Sequence, residues 1–314
     1  MMISLIRALA RSAHASTRPS VVLAALIVLP GALPAQERVH LNPVIAKLEA
    51  GEVVYGLSTQ NLALSHAREV ARAPAEFMYV DMEHSPMDFA SLRMFLLAMG
   101  DKQTILRKGN AQPDVALLAR FAPPPDESEW VVKQALDLGL YGVIFNGVDT
   151  PEHAAFAVST MRYPQLRESP SPEPAGIRGW SPTNAAWAWG VSADEYLSRA
   201  DVWPLNPDGD LFAVMMIESA EAMSNLDAIA ATPGVSALFP GAGGDLSLSL
   251  GVAQGSPELE EAFERILAAC LRHDVACAIS ANTGEDVARR VRQGWRIIRT
   301  TVAGANEGRA ILGE

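Results

Sequence analysis

The chain has 314 residues, 49% apolar and 19% charged, a balance that excludes disordered and fibrous classes and leaves one large domain or two small ones. Its formal charge is −11; the first 36 residues hold three arginines and no acid, so beyond them 22 basic groups face 36 acids, a charge of −14. A body that acidic repels nucleic acid and anionic lipid, so neither is expected as a partner, and any attraction for an anionic substrate must come from a placed arginine or a metal.

Residues 1–36 carry Arg7, Arg11 and Arg18, then the apolar run VVLAALIVLPGAL, then Ala35-Gln36. That order reads as an export signal, with an organellar transit peptide or a start site placed too early as the alternatives. The run of 13 residues is too short to span a bilayer, and no later stretch is long enough without a charge. The domain division is therefore a leader over 1–36 and one domain over 37–314. The expected location is periplasmic or secreted if the leader is real, and cytoplasmic otherwise. The mature part is expected off the membrane.

From residue 53 onward, short β-rich runs alternate with longer helical stretches, the pattern of a parallel sheet with helices outside it. The predicted strands are 53–58 (VVYGLS), 77–82 (FMYVDM), 103–108 (QTILRK), 141–148 (YGVIFNGV), 211–219 (LFAVMMIES), 235–241 (VSALFPG), 275–281 (VACAISA) and 295–302 (WRIIRTTV). Helix starts are marked by Asp88, by Thr150-Pro151-Glu152 and by Ser256-Pro257-Glu258, each joining a capping side chain to a proline or acid in or near the first turn, Asp88 being the plainest cap. Eight such units in about 260 residues match a single (β/α)8 barrel. A doubly wound open sheet is the second choice, and no GxGxxG turn follows the first strand to support a dinucleotide version.

Two stretches break the rhythm: the proline-rich FAPPPDESEW at 121–130, and residues 164–210, predicted as a long insertion before the fifth strand with one short helix near 192–200. Trp180, Trp187 and Trp189 in that stretch either wall a pocket or form its own packing core. Cys270 and Cys277 sit in apolar surroundings without metal-ligand spacing, and read as small core residues rather than a disulfide framework.

In a barrel, polar groups at the C-terminal ends of strands read as catalytic. Four predicted strands end that way: Asp81, Glu83 and His84 after the second, Arg107 on the third, Glu218 on the fifth and Asp245 after the sixth. Glu218 and Asp245 in one pocket would repel unless a cation lay between them, and oxygen ligands favour Mg²⁺ or Mn²⁺. Each acid taken alone also fits a helix cap. His84 beside Asp81 suits proton transfer near neutral pH, and Arg107 offers a fixed positive fork for a carboxylate or an enolate oxygen. A structural histidine and an ordinary ion pair are the plainer readings of those two. The glycines of GAGGD, with Gly243 and Gly244 at their centre, bring backbone amides close enough to hold a substrate carboxylate.

The segments YVDMEHSPMD, ILRKG, ALDLGLYGVIF, RYP with AGIRGW beyond it, IESAEAMSNLDAIAATPGVSALFPGAGGDLSLSLG and SPELEEAFERILAAC resemble, in this order, the HpcH/HpaI aldolase family, over roughly residues 45–305. The resemblance implies a (β/α)8 barrel, assembled as a trimer or hexamer, that binds a divalent cation (Mg²⁺, Mn²⁺ or Co²⁺) and cleaves or forms 4-hydroxy-2-oxoacids through a pyruvate enolate. Carried onto this chain, it implies that Glu218 and Asp245 hold the metal, Arg107 contacts the oxoacid, and His84 with Asp81 is the base. The chain departs from the family pattern at Met216, where a glutamine is usual, at Phe145-Asn146 in place of Val-Pro, in a GAGGD loop one residue longer, and in a short final helix. A CoA-ester lyase of the citrate-lyase β type and an exported, non-catalytic oxoacid-binding barrel are the alternative functions.

Overall fold

The computed structural model describes residues 39–314, so the leader expected over 1–36 lies outside the described residues. Nine strands follow in chain order: β1 (Val54–Thr59), β2 (Phe77–Met82), β3 (Ala116–Phe121), β4 (Gly142–Phe145), β5 (Val202–Trp203), β6 (Leu211–Met216), β7 (Ala237–Phe239), β8 (Ala276–Ser280) and β9 (Ile297–Arg299). All pairings are parallel, in the order β4-β3-β2-β1-β9-β8-β7-β6-β5, and β4 also pairs with β6, with Gly142 opposite Phe212 and Phe145 opposite Met215. That pairing closes eight strands into a barrel and leaves β5 as a two-residue addition along the start of β6. The (β/α)8 expectation is met.

Strands walled by helices outside and by side chains inside are covered on both faces, which is why β2, β3 and β6 are buried at all six positions and read as continuous apolar runs. Gly56 of β1 has a structural reason: a Cβ there would fall 1.8 Å from the Phe77 ring, which fills the space across β1 and β2. The predicted helix starts are in place. Asp88 accepts from the Ser91 amide, Thr150 from His153 and Ser256 from Leu259, opening the helices Phe89–Met99, Pro151–Met161 and Pro257–His273. The final helix, Val302–Leu312, is capped by Thr301.

Three expectations are corrected. Residues 103–108 are not a strand: Lys102–Lys108 is a helix, capped at one end by Asp101, which accepts from Gln103 and Thr104, and ended at the other by Gly109 with φ of 72°. The third barrel strand lies further on, in VALLARF, where an alanine- and leucine-rich run has helical propensity but is placed between β2 and β4 by burial. Residues 164–210 hold two helices, Thr183–Trp189 and Ala193–Arg199, and β5, instead of one short helix. Cys270 and Cys277 are buried as expected, but bonded to each other: the long helix packs on β8 so that their Cα atoms stand 5.8 Å apart.

Buried polar groups tie the 164–210 stretch down. Arg162 is fully buried and forms a double hydrogen bond with Asp201 (2.6 and 3.1 Å) while donating to the carbonyls of Pro174 and Ser171. Trp189 stacks on Tyr141 at 4.6 Å, meets Tyr196 edge-on and donates to the Gly139 carbonyl. It is packing core, whereas Trp180 and Trp187 are exposed. None of the three lines the pocket described below. Among the described residues no helix is long and apolar enough to cross a membrane.

Candidate active site

The strands' C-terminal ends open into one polar pocket of about 210 Å³, lined by side chains from β1, β2, β3, β6, β7, β8 and β9 and by the loop after β7. It gathers Asp81, His84, Glu218, Gly244 and Asp245 of the residues expected from sequence, together with Ser58, Tyr79, Arg120, Ser280 and Arg299. Gly243 turns the chain with φ of 78° just before the helix Gly244–Leu250 and does not itself line the pocket. A Cβ there would meet Phe263 at 2.6 Å, so glycine is required both by backbone and by space.

Arg107 is not part of the site. It is exposed in the helix Lys102–Lys108, donating to Thr104 Oγ1 at 3.2 Å, and the pocket's cation is Arg120 of β3. Arg120 stands directly across from Asp81 in the β2–β3 register and donates to it twice, Nε to Oδ1 at 3.2 Å and Nη2 to Oδ2 at 2.9 Å. Burial pushes the Asp81 carboxyl upward, but these hydrogen bonds and the guanidinium charge outweigh it and hold Asp81 below the usual carboxylate range. The same pair outweighs burial at Arg120 and raises its pKa. Arg120 Nη1 also lies 2.8 Å from Glu83 Oε2, but not aimed at it, so that this buried oxygen receives no hydrogen bond; Asn146 donates to the other oxygen at 2.8 Å.

Asp81 is thus committed to Arg120. It touches His84 only through the backbone, accepting from the His84 amide at 3.4 Å, while the imidazole is exposed at the pocket mouth with Nε2 3.5 Å from Glu83. The expected Asp81–His84 side-chain pair is replaced by Glu83–His84.

Glu218 follows β6 by two residues and is partly buried; Asp245 is exposed in the first turn of the helix Gly244–Leu250. Neither carboxylate has a hydrogen-bond or ion-pair partner among the described residues. Burial pushes Glu218 from 4.5 to about 7, helped by the negative charges of Asp245, Glu83 and Asp149 and opposed by Arg120. This is what a cation site looks like chemically: oxygen donors from two chain segments that repel each other and want a shared positive charge. No cluster of three or more His, Cys, Asp or Glu side chains arranged to hold a metal occurs among the described residues, so these two acids would be the protein's whole contribution. The donor set fits a hard divalent ion with positions left for water and substrate.

Sequence reasoning missed Arg120 because its strand was placed one segment early. It missed Arg299 although WRIIRTTV was correctly read as a strand: a polar residue closing an apolar run, the signal that flagged Glu218, flags Arg299 equally.

A closed (β/α)8 barrel with paired acids, a buried arginine and a histidine converging above its strands defines a barrel of the kind that works on small polar molecules at its C-terminal face. The model of the HpcH/HpaI aldolase/citrate lyase family matches residues 57–305, and the chain belongs to that family. A 5-keto-4-deoxy-D-glucarate aldolase from Salmonella paratyphi C is 29% identical over 255 residues, 81% of this chain and 87% of that protein. Among solved structures, an HpcH/HpaI aldolase/citrate lyase family protein from Burkholderia cenocepacia J2315 is similar with a TM-score of 0.68 and 28% identity, covering 87% of this chain and 98% of that one. An HpcH/HpaI aldolase from Desulfitobacterium hafniense DCB-2 shares the fold, with a TM-score of 0.63, 23% identity, and 85% and 93% coverage.

Proposed function

We propose that the chain is a divalent-metal-dependent aldolase that cleaves or forms 4-hydroxy-2-oxoacids. The observation that carries this reading is the pair of unpartnered carboxylates, Glu218 and Asp245, in the pocket that also holds the Asp81–Arg120 pair and His84. Family membership and the aldolase relative support the reaction class.

Glu218 and Asp245 would hold Mg²⁺, Mn²⁺ or Co²⁺, and the ion, when bound, supplies Lewis-acid stabilisation of negative charge on the 2-oxo oxygen. The protein's own groups do the rest. In cleavage the C3–C4 bond breaks, its electron pair stays with C3 and spreads to the 2-oxo oxygen, and the C4 hydroxyl proton leaves as the aldehyde forms. Arg120, fixed by Asp81, places a permanent positive charge beside that developing oxyanion. His84 takes the hydroxyl proton and returns it in the reverse direction. The Glu83 carboxylate, 3.5 Å from Nε2, favours the imidazolium that forms. Gly244, at the pocket wall, brings backbone close to the substrate carboxylate.

Pyruvate release from a racemic 4-hydroxy-2-oxoacid with Mg²⁺ or Mn²⁺ tests the proposal. EDTA abolishes it, and His84→Ala lowers turnover about 10²- to 10⁴-fold. Tight oxoacid binding with no release under any condition would refute the enzyme and favour the non-catalytic barrel. We further propose export, supported by the acid-free leader and by the Cys270–Cys277 disulfide, which suits an oxidising compartment. Fractionation with thiol trapping checks this, and a reduced protein confined to the cytoplasm refutes it. Assembly as a homo-oligomer belongs to the same proposal and is read from a native mass.

A further inference from the structure

Glu83, Ala122 and Asn146 each stand one residue past a single register row of the sheet, Met82–Phe121–Phe145. The row before it holds Asp81 and Arg120, and continuing the alternation of side chains turns Glu83 and Asn146 to the side that this pair faces. Across the outer row the Asn146 amide joins the ends of β2, β3 and β4: Nδ2 donates to Glu83 Oε1 at 2.8 Å and to the Ala122 carbonyl at 3.2 Å. Both N–H groups of the amide are thereby used, while its buried Oδ1 accepts from no described residue. A polar atom left in that state is a cost that needs a reason.

The reason lies with Glu83, whose carboxylate accepts one hydrogen bond among the described residues, the one from Asn146. Arg120 does not supply another. Its Nε and Nη2 are committed to Asp81, and Nη1, although 2.8 Å from Glu83 Oε2, is aimed at Met216 Sδ at 3.7 Å. Arg120 gives Glu83 charge without direction. A glutamate side chain keeps much rotamer freedom unless something fixes it. With Oε1 held by Asn146, Oε2 stays within reach of both the Arg120 guanidinium and the His84 imidazole, 3.5 Å from Nε2.

We propose that Asn146 is a positioning residue: by holding Glu83 Oε1 it keeps the other oxygen in place beside His84, so that the positive charge His84 acquires on taking the hydroxyl proton meets a carboxylate already fixed there. The use of His84 as base rests on the oxoacid-lyase reading, whereas the link from Asn146 through Glu83 to His84 belongs to the folded chain and is measured without turnover.

A double-mutant cycle on the Mg²⁺-loaded protein tests it. In pyruvate release, Asn146→Ala lowers kcat about 10- to 100-fold, the cost of a misplaced catalytic group, and leaves KM within about twofold. In the Glu83→Ala background the same substitution costs less than about twofold, because the carboxylate it acts through is gone. The His84 ring-proton resonance at neutral pH, identified by its loss in His84→Ala, gives the second readout: it shifts in Glu83→Ala, shifts in Asn146→Ala, and is unmoved by Asn146→Ala in the Glu83→Ala background. Equal losses of kcat in both backgrounds, or a His84 resonance indifferent to Asn146→Ala, overturn the proposal. Should the alanine variant unfold, Asn146→Asp keeps the shape of the side chain, cannot donate and repels Glu83, and the same pattern is expected of it. The coupled shifts of the resonance with no cleavage of any 4-hydroxy-2-oxoacid sink the aldolase reading and spare the Asn146 link, whereas cleavage with additive losses and an unmoved resonance does the reverse.

Discussion

Glu218 makes the fold itself sensitive to pH, and the size of the effect follows from the pocket. Its carboxyl titrates at about 7 in the folded chain against an ordinary 4.5. Between those values the folded state binds the proton that the unfolded state has released, so stability is fully present below about pH 4.5 and is lost as pH rises through about 7. The span corresponds to roughly 3 kcal/mol at full burial. Glu218 keeps some contact with water, and screening brings the figure nearer 2 kcal/mol. Replacing it by glutamine, which carries no charge at any pH, removes the dependence. Thermal unfolding of the metal-free protein and of Glu218→Gln at about pH 5 and about pH 8 gives the difference directly: the variant gains roughly 4 to 8 °C on the unaltered protein over that interval, at about 2 to 4 °C per kcal/mol. Saturating Mg²⁺ or Mn²⁺ adds a second arm. Two ionised carboxylates bind the ion more tightly than one, so the cation raises the melting temperature of the unaltered protein more at the higher pH, by an amount equivalent to about 2.7 kcal/mol at a hundred times its dissociation constant. A melting difference that stays flat across the interval, or runs in the opposite direction, would show that Asp245, Glu83 and burial do not act on Glu218 as described.

Arg120→Met leaves the Asp81 carboxylate without a cation where its side chain is only 12% exposed, and costs about 3 to 5 kcal/mol together with most of the turnover, whereas Arg107→Gln stays within about 0.5 kcal/mol and turns over normally; parallel melting and pyruvate-release assays check both, and a severe Arg107 phenotype would restore the sequence expectation. Cys270→Ala opens a loop with a sequence separation of 7 and lowers stability by about 2 kcal/mol, seen as a matching drop in the oxidised protein on adding reductant; no response to reductant would mean the disulfide does not form.

Much of the fold is legible because period and capping agree. Phe77–Met82 and the helix opened by Ser256-Pro257 fall where an apolar run or a capping side chain puts them, since at these places local preference and burial point the same way. Where they disagree, tertiary structure wins. QTILRK carries two β-branched residues and ALLARF none, yet the first is a helix and the second a barrel strand. The signal that separates them is at the edges: Asp101 and Gly109 bracket one helical turn after another, while nothing caps the residues around Ala116–Phe121. The disulfide was hidden for another reason, because seven residues of separation say nothing of distance until the helix Pro257–His273 is laid on β8.

The same rule explains which site residues could be read in advance. Glu218 and Asp81 interrupt apolar runs, and an ionisable group in such a place must be resolved by a partner in the fold or by one that arrives from outside. Asp81 is resolved internally: Arg120 faces it across one register step and both are held in their charged forms. Glu218 is not, since the Asp245 charge adds to the cost of its burial, and that unresolved pair is what supports the proposed cation.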